Sequence, residues 1–532
     1  MEGYKPLIWP GLLALAFTPG IAIVAIFYMA WLSIWNLNTL RIDSYVLEVL
    51  EFTLFQATLS TLFSLLFALP VARALARRTD FPGRGVILKL FGLPLVIPVV
   101  VTVFGITAIW GQNGLVSEFL KYLGFNGLNP LYGLTGILIA HTFFNMPLMV
   151  RLLLPIWESI PGEYWRIASM TGMNSLSMFR YIELPKLRDG LPGLVILVFL
   201  LCFTSFTIVL ILGGGPQSTT IEVAIFHEVR SNFNIPKAIF LALIQVGICL
   251  CVSLLLLKFA LLQPGSATEN RASVRPDIIS PLSKINDAFW IALGCLWVGA
   301  PITGIVAKGL LGPVVQVLGN QAVWEATLRS LMVGFGSGMI AVSLGLLLSS
   351  TTRDIAVRWN NTGLANRLEL TGSQALIVSP IILGTGLFVI LNPFIPVFEY
   401  NLYLATLING FIAMPFVLRL VSPVLRENVE KHDALCNSLG LGGWNKIRIV
   451  EIPLAKKEII LAFALTTAMA TGDLTSVVFF SAGRDPTLAL MLYQALGNYR
   501  VNDSAVMALL LIVVCLMVFV IIERLGNVLL RS

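Results

Sequence analysis

Few side chains in this chain suit reaction chemistry, and those few are scattered. Three histidines, His141, His227 and His432, stand far apart, and the six cysteines (202, 249, 251, 295, 436 and 515) lack metal-ligand spacing. Most of the cysteines fall inside apolar runs, where a thiol packs as a small apolar group. No metal site and no nucleophile–base constellation is legible, which argues against an enzyme working inside the membrane. The motif Gly-x-x-x-x-Gly-Lys-Ser/Thr is absent, and no glycine is followed by lysine. Phosphate-cradling chemistry must therefore come from another chain.

Polar side chains inside apolar runs are the remaining chemical candidates. Asp473, in "ATGDLTSVV", is the acid set deep in such a run, and it is read in the outer half. Its carboxylate either attracts a cationic solute or is satisfied by neighbouring threonine and backbone groups, the second being the commoner fate. Asn145 and His141, on a proline-interrupted run, are weaker candidates of the same kind. The run Gly213, Gly214, Gly215 and Pro216 reads first as an outer turn and second as part of a docking surface for a binding protein.

A different chemistry, mechanical contact with a partner, is suggested by "GEYWRIASMTGMNSLSMFRYIELP", residues 162–185. Ile167, Met170 and Met173 can share a helical face, and Gly172 allows a sharp turn where a Cβ would clash. Phe179 and Ile182 supply a second apolar face before Pro185 stops the helix. A second stretch, "DALCNSLGLGGWNKIRIVEIP" at 433–453, has Leu435, Leu439 and Ile447 as apolar positions and Gly440 at the bend. One such loop would read as amphipathic helices lying on a membrane surface. Two with the same glycine-to-proline spacing point to helix pairs that dock into grooves on a partner.

The elements that position these residues are read from composition. Hydrophobic residues make up 57% of the 532 positions and charged residues 12%, so the bilayer is the solvent. The expected fold is all-α, with about twelve spans near 8–35, 50–75, 85–109, 132–154, 190–212, 236–262, 288–314, 322–350, 372–394, 402–421, 458–480 and 504–526. The first has no small-residue cleavage site and is read as a retained span. The net charge of +7 sits in short loops, which fits a membrane topology better than nucleic-acid binding. Arginine and lysine crowd the turns 76–90 and 351–371 and the stretch 263–287, whereas 110–131 holds only Lys121 and 395–401 has no basic residue. By the positive-inside rule the basic turns and both termini are cytoplasmic.

The chain also repeats. Phe143, Met146, Pro147, Arg151 and Pro155 recur as Phe411, Met414, Pro415, Arg419 and Pro423, an offset of 268 that also carries Gly172 to Gly440 and Pro185 to Pro453. This predicts two parallel copies of a six-span unit, 1–262 and 288–532, joined by a linker at 263–287 rich in proline, serine and charge. An inverted repeat would need an odd number of spans per copy.

The glycine-to-proline spacing resembles the signature loop of ABC importer permeases: Glu-Ala-Ala, three residues, Gly, twelve residues, Pro. Carried onto this chain, its leading positions are Arg166, Ile167, Ala168 and Ala434, Leu435, Cys436, so the acidic first position is absent from both copies. Together with "FFNMPLMVRLLL", "IPGE", "LGGGPQSTTIE" and "LCNSLGLGGW", the loops are similar to the fused two-copy permease of bacterial thiamine and thiamine pyrophosphate importers. The resemblance implies a multi-pass protein of the bacterial inner membrane, with a type I importer permease fold and no cofactor of its own. It implies two copies of an ABC ATPase subunit that handles ATP and magnesium, a periplasmic or surface substrate-binding protein, and a small-molecule cargo. A fused ferric-iron or polyamine permease is the near alternative. A secondary transporter is a more distant one, because this chain has few ionisable residues in its spans for an ion relay.

The loop charges make a direct prediction. In a background without native cysteines, Ser177→Cys and Ser438→Cys should react only with membrane-permeant thiol reagents in intact cells. Ser218→Cys should react with an impermeant one. Labelling of position 177 from outside would overturn the orientation.

Overall fold

The computed structural model describes residues 8–35, 43–112, 114–124, 131–260, 275–278, 280–373, 378–439, 441, 443–481, 483 and 485–531. Small side chains set where its helices touch. Along the helix Ser44–Arg77 the buried stripe includes Thr53, Ala57, Ser60, Ser64, Ala68 and Ala72. Their three- and four-residue spacing turns one narrow face toward a neighbour, and their size lets backbones approach closely. Leu47, Leu54, Leu62 and Leu66 of the same helix are exposed, a surface suited to hydrocarbon.

That stripe packs against Leu134–Glu158 and Leu184–Phe203. The same trio recurs later, where Gln321–Val357 packs on Asn401–Ser438 and Ile452–Thr471. Closeness there depends on Gly334, because a Cβ at that position would stand 2.0 Å from Thr471 Oγ1. The leading helix of each half crosses to the other. Trp9–Leu15 packs on Gln321–Val357, where the Gly11 amide donates to Thr351 Oγ1 at 2.9 Å. Pro281–Leu311 packs on Val99–Trp110 and Ser44–Arg77 in return. It begins seven residues before the span expected near 288, because Pro281 is well placed at a helix start.

Among the described residues, 8 helices are long and apolar enough to cross a membrane unbroken. The other four apolar runs, the third and fifth of each half, depart from the continuous spans expected of them. Arg84–Leu95 and Val99–Trp110 meet at 111°, with Pro98 as N-cap of the second piece. A proline restricts the residue before it to extended backbone, which breaks the helix at Ile97. In the second half the matching run keeps the short apolar helix Pro380–Leu391. The run expected at 190–212 is Leu184–Phe203, a break, then Thr207–Leu212. The run expected at 458–480 is Ile452–Thr471, a break at Gly472–Leu474, then Thr475–Phe480.

The two short pieces after these breaks meet. Thr207 Oγ1 and Thr475 Oγ1 are hydrogen-bonded at 3.0 Å, and their separation along the chain is the same 268 residues. If the halves meet at this point, Thr207→Cys with Thr475→Cys, in a background free of other cysteines, should form a disulfide under mild oxidant. Both thiols should then vanish from alkylation mass spectra. Full alkylation after oxidation would show that the two pieces are not in contact.

Candidate functional site

The first loop begins where Pro161 caps the helix Gly162–Met170. Trp165 and Ala168 are its buried residues, while Arg166 and Ile167 are exposed and Met170 is 87% exposed. The face shared by Ile167 and Met170 therefore points outward, and Tyr164, Leu176 and Tyr181 extend the exposed apolar surface. Exposed large apolar side chains grouped in this way mark an interaction surface.

The bend is a helix C-cap closed by two backbone bonds. The Met173 amide donates to the Ala168 carbonyl at 3.0 Å, and the Gly172 amide to the Ser169 carbonyl at 3.3 Å. Gly172 itself sits at φ +65°, the left-handed position that favours glycine in this motif. No atom lies within 4 Å of where its Cβ would stand. The clash that a Cβ would meet is therefore with the residue's own backbone in the left-handed conformation, and not with a neighbour.

The second loop closes the same way, with the Leu441 amide donating to the Cys436 carbonyl at 2.9 Å. Ala168 and Cys436 occupy the same repeat position, and both are small and buried. The third signature position is thereby explained as a tight-packing residue whose carbonyl closes the turn. Ala434 and Leu435 are exposed, like Arg166 and Ile167. Gly440 lies outside the described residues.

The prolines do not stop their helices, contrary to the expectation from sequence. Phe179–Glu183 and Ile447–Glu451 are π turns, and each runs directly into an α-helix carrying Pro185 or Pro453 in its first turn. A π turn removes the need for the amide that proline lacks, so the helix continues through it. Each π turn ends on a buried carboxylate. Glu183 accepts from Arg73 Nε at 2.7 Å and from Trp157 Nε1 at 3.0 Å. Glu451 is paired with the buried guanidinium of Arg353, which also meets Asp354 at 2.7 Å. Removing one partner of such a pair would leave a buried charge uncompensated, at a cost of about 3–5 kcal/mol.

The loops differ in how they leave their spans. Leu134–Glu158 ends, and after three intervening residues a new helix starts. Asn401–Ser438 continues unbroken through the equivalent place, where buried Val429 stands at the repeat position of Pro161.

The polar interior is arranged less symmetrically. Asp473 lies in the break before Thr475–Phe480 and accepts from the amides of Thr475 at 3.2 Å and Ser476 at 2.9 Å. It is therefore a helix cap, the structural role weighed from sequence. Ser476 Oγ donates to Asn409 Oδ1 at 2.8 Å. His141 Nδ1 is bonded to Ser60 Oγ at 2.8 Å, and Asn145 Nδ2 donates to Cys202 Sγ at 3.2 Å. Asp473 thus joins Asn409, whereas His141 and Asn145 lie in the other half, against Ser44–Arg77 and Leu184–Phe203. Asn409, Ser476, Thr207 and Thr475 were not singled out from sequence. The offset of 268 links His141 to Asn409 and Thr207 to Thr475, so applying it to every polar residue would have found these, but not Ser476, whose repeat position is Ile208.

Comparison with known proteins identifies the family of the chain. No family model matches the chain. The thiamine transport system permease protein ThiP of Brucella abortus (strain 2308) is 40% identical over 482 residues, 91% of this chain and 88% of that protein. Its counterpart in Salmonella typhimurium is 36% identical over 524 residues, 97% of this chain and 96% of that protein. The sulfate transport system permease protein CysT of Salmonella typhimurium is 29% identical over 230 residues, which is 43% of this chain and 79% of that one. With similarity running through both halves and both capped loops, the chain belongs to the family of thiamine transport system permeases.

Proposed function

We propose that the chain is the membrane-spanning permease of an ATP-driven importer for thiamine and its phosphates, built as two six-span copies joined by a linker. The observation that carries this is the repetition of one loop. Helix, hydrogen-bonded cap, π turn and proline-bearing helix recur 268 residues apart, each π turn ending on a carboxylate held by an arginine of a neighbouring helix. A single-chain permease with two such loops suits two ATPase subunits. The loops belong on the arginine-rich end, which we place in the cytoplasm of a bacterial inner membrane. A substrate-binding protein would deliver cargo at the opposite end.

In this reading, ATP-driven closure of the partner moves the exposed faces of the two loops. The second loop is the end of Asn401–Ser438, a 38-residue helix whose part beyond Pro423 runs unbroken into the loop and would act as a lever. The first would turn about Pro161. Both motions would reach the breaks before Thr207 and Thr475 through the helices that start at Leu184 and Ile452. Discontinuous helices at matching places in two repeats are where transporters hold cargo near the bilayer centre. Asp473, Asn145 and His141 are proposed to line that path, and Asp473 would attract the cation.

Two tests follow. Gly172→Val places a β-branched residue in a left-handed cap at a cost of about 1–2 kcal/mol or more, and Gly440→Val puts the same side chain at the matching repeat position. Uptake should fall several-fold while membrane abundance persists, and Gly172→Asn should retain most of it. Normal uptake by both valine variants would remove the loops from coupling.

The purified chain should hydrolyse no ATP. With ATPase and binding protein in vesicles, it should take up thiamine only when ATP is present on the loop side. Asp473→Asn keeps a capping acceptor but loses the charge, so uptake should slow while assembly remains intact. Uptake driven by an ion gradient without ATP would refute the transport class. Unchanged uptake by Asp473→Asn would leave Asp473 a cap alone.

A further inference from the structure

The two loops need anchoring differently, because Pro161 severs the first from its span and Val429 keeps the second continuous. What holds the first is part of the stretch between the halves. The Arg275 guanidinium lies 3.9 Å from the ring centre of Trp165 on the first loop's helix. Its Nη2 meets Glu183 Oε1 at 2.5 Å, at the loop's exit. Asp277 pairs with Arg275 Nε at 3.3 Å and with Arg77 Nε at 3.2 Å, and accepts from Ser175 Oγ at 3.4 Å. Arg77 Nη2 donates to the Asp277 carbonyl at 2.7 Å, and Arg78 Nη1 to the Ile278 carbonyl at 2.9 Å. Asp287, at the start of the next helix, closes on Arg77 at 3.1 Å and Arg78 at 2.9 Å. Arg275, Asp277, Asp287, Arg77 and Glu183 all have side chains less than a tenth exposed.

Among the described residues, the second loop is held from within its own half. At the repeat position of Trp165 it has Asp433, which pairs with Arg358 at 3.5 Å and with Lys446. Those cations, and Arg353 on Glu451, all come from the second half itself.

We infer that Arg275, Asp277 and Asp287, in the stretch between the halves, form a strap that positions the first coupling helix, with Arg275 as its positioning residue. It does for the first loop what helix continuity does for the second. Arg275 stacks on the docking helix and pairs with the exit carboxylate at once, so it clamps both arms of the loop. Asp277 and Asp287 then fix that clamp to the end of Ser44–Arg77. A planar guanidinium performs this dual role, whereas an ammonium keeps the charge but loses the stacked plane. The join between the halves is on this account part of the coupling machinery.

The inference rests on reading 162–185 as a coupling loop, so its test has an arm independent of transport. In the full chain in lipid nanodiscs without ATPase, Arg275→Ala should speed amide hydrogen exchange at residues 163–178 at least tenfold. Residues 430–439 should be unchanged, and Arg275→Lys should fall between Arg275→Ala and the parent chain. In vesicles with ATPase and binding protein, Arg275→Ala should lower thiamine taken up per ATP hydrolysed several-fold. Adding Pro161→Val, which supplies the continuity of the second loop, should restore part of it.

Unchanged exchange at 163–178 would overturn the strap. Faster exchange with a parental uptake-to-hydrolysis ratio would overturn its positioning role. If Arg275→Ala fails to reach the membrane, Asp277→Asn tests the same strap by breaking the pair with Arg77. Normal uptake by Gly172→Val would instead count against the coupling loops, and the exchange arm would still read the strap.

Discussion

Glu183 and Glu451 are buried carboxylates at the exits of the two loops, and each needs a cation in a place that water does not reach. A carboxylate without a partner there would cost several kcal/mol or take up a proton. The arginine that answers each one therefore ties a loop to the end of a long spanning helix. Arg73 belongs to Ser44–Arg77 and Arg353 to Gln321–Val357, the helices on which each half is packed. Loop position and helix position are in this way one variable. Displacing a loop without moving its helix would separate a buried charge from its partner.

The two halves satisfy that constraint by different local means. The second carries one helix past Pro423 to the cap at Cys436, so bending beyond that proline is resisted by consecutive backbone hydrogen bonds. In the first, Pro161 removes an amide and ends that continuity, and side-chain contacts from outside the half take over. Backbone continuity resists bending in every direction.

Between the loops and the far end of the bundle, packing is governed by small residues and by broken helices. Alanine, serine and glycine stripes bring backbones close where lipid supplies no hydrophobic reason for helices to associate. At the breaks, backbone amides that leave the helical ladder are recovered by side chains, as Asp473 does for Thr475 and Ser476. Irregular backbone at this depth is tolerable because it is enclosed by protein. The result places two short helix starts side by side, joined through Thr207 and Thr475.

The sequence by itself determined that the chain is helical and membrane-embedded, that it repeats at 268, and that two loops share a glycine-to-proline spacing. These follow from composition and from the one-dimensional positions of Gly172, Pro185, Gly440 and Pro453. Only the tertiary structure decided what those residues do. Gly172 is required by its left-handed backbone and not by a neighbour, and Pro185 rides inside a helix because a π turn precedes it. Neither fact is local to a residue type, since a glycine or proline is compatible with several backbone paths. The roles of Arg275 and Asp277 were equally hidden, because a polar stretch reads as solvated until its partners from distant helices are known. Asp473 could be read from sequence as a cargo contact or a cap. The direction of two backbone amides in a broken helix assigned the cap, and hydropathy carries no information about that direction.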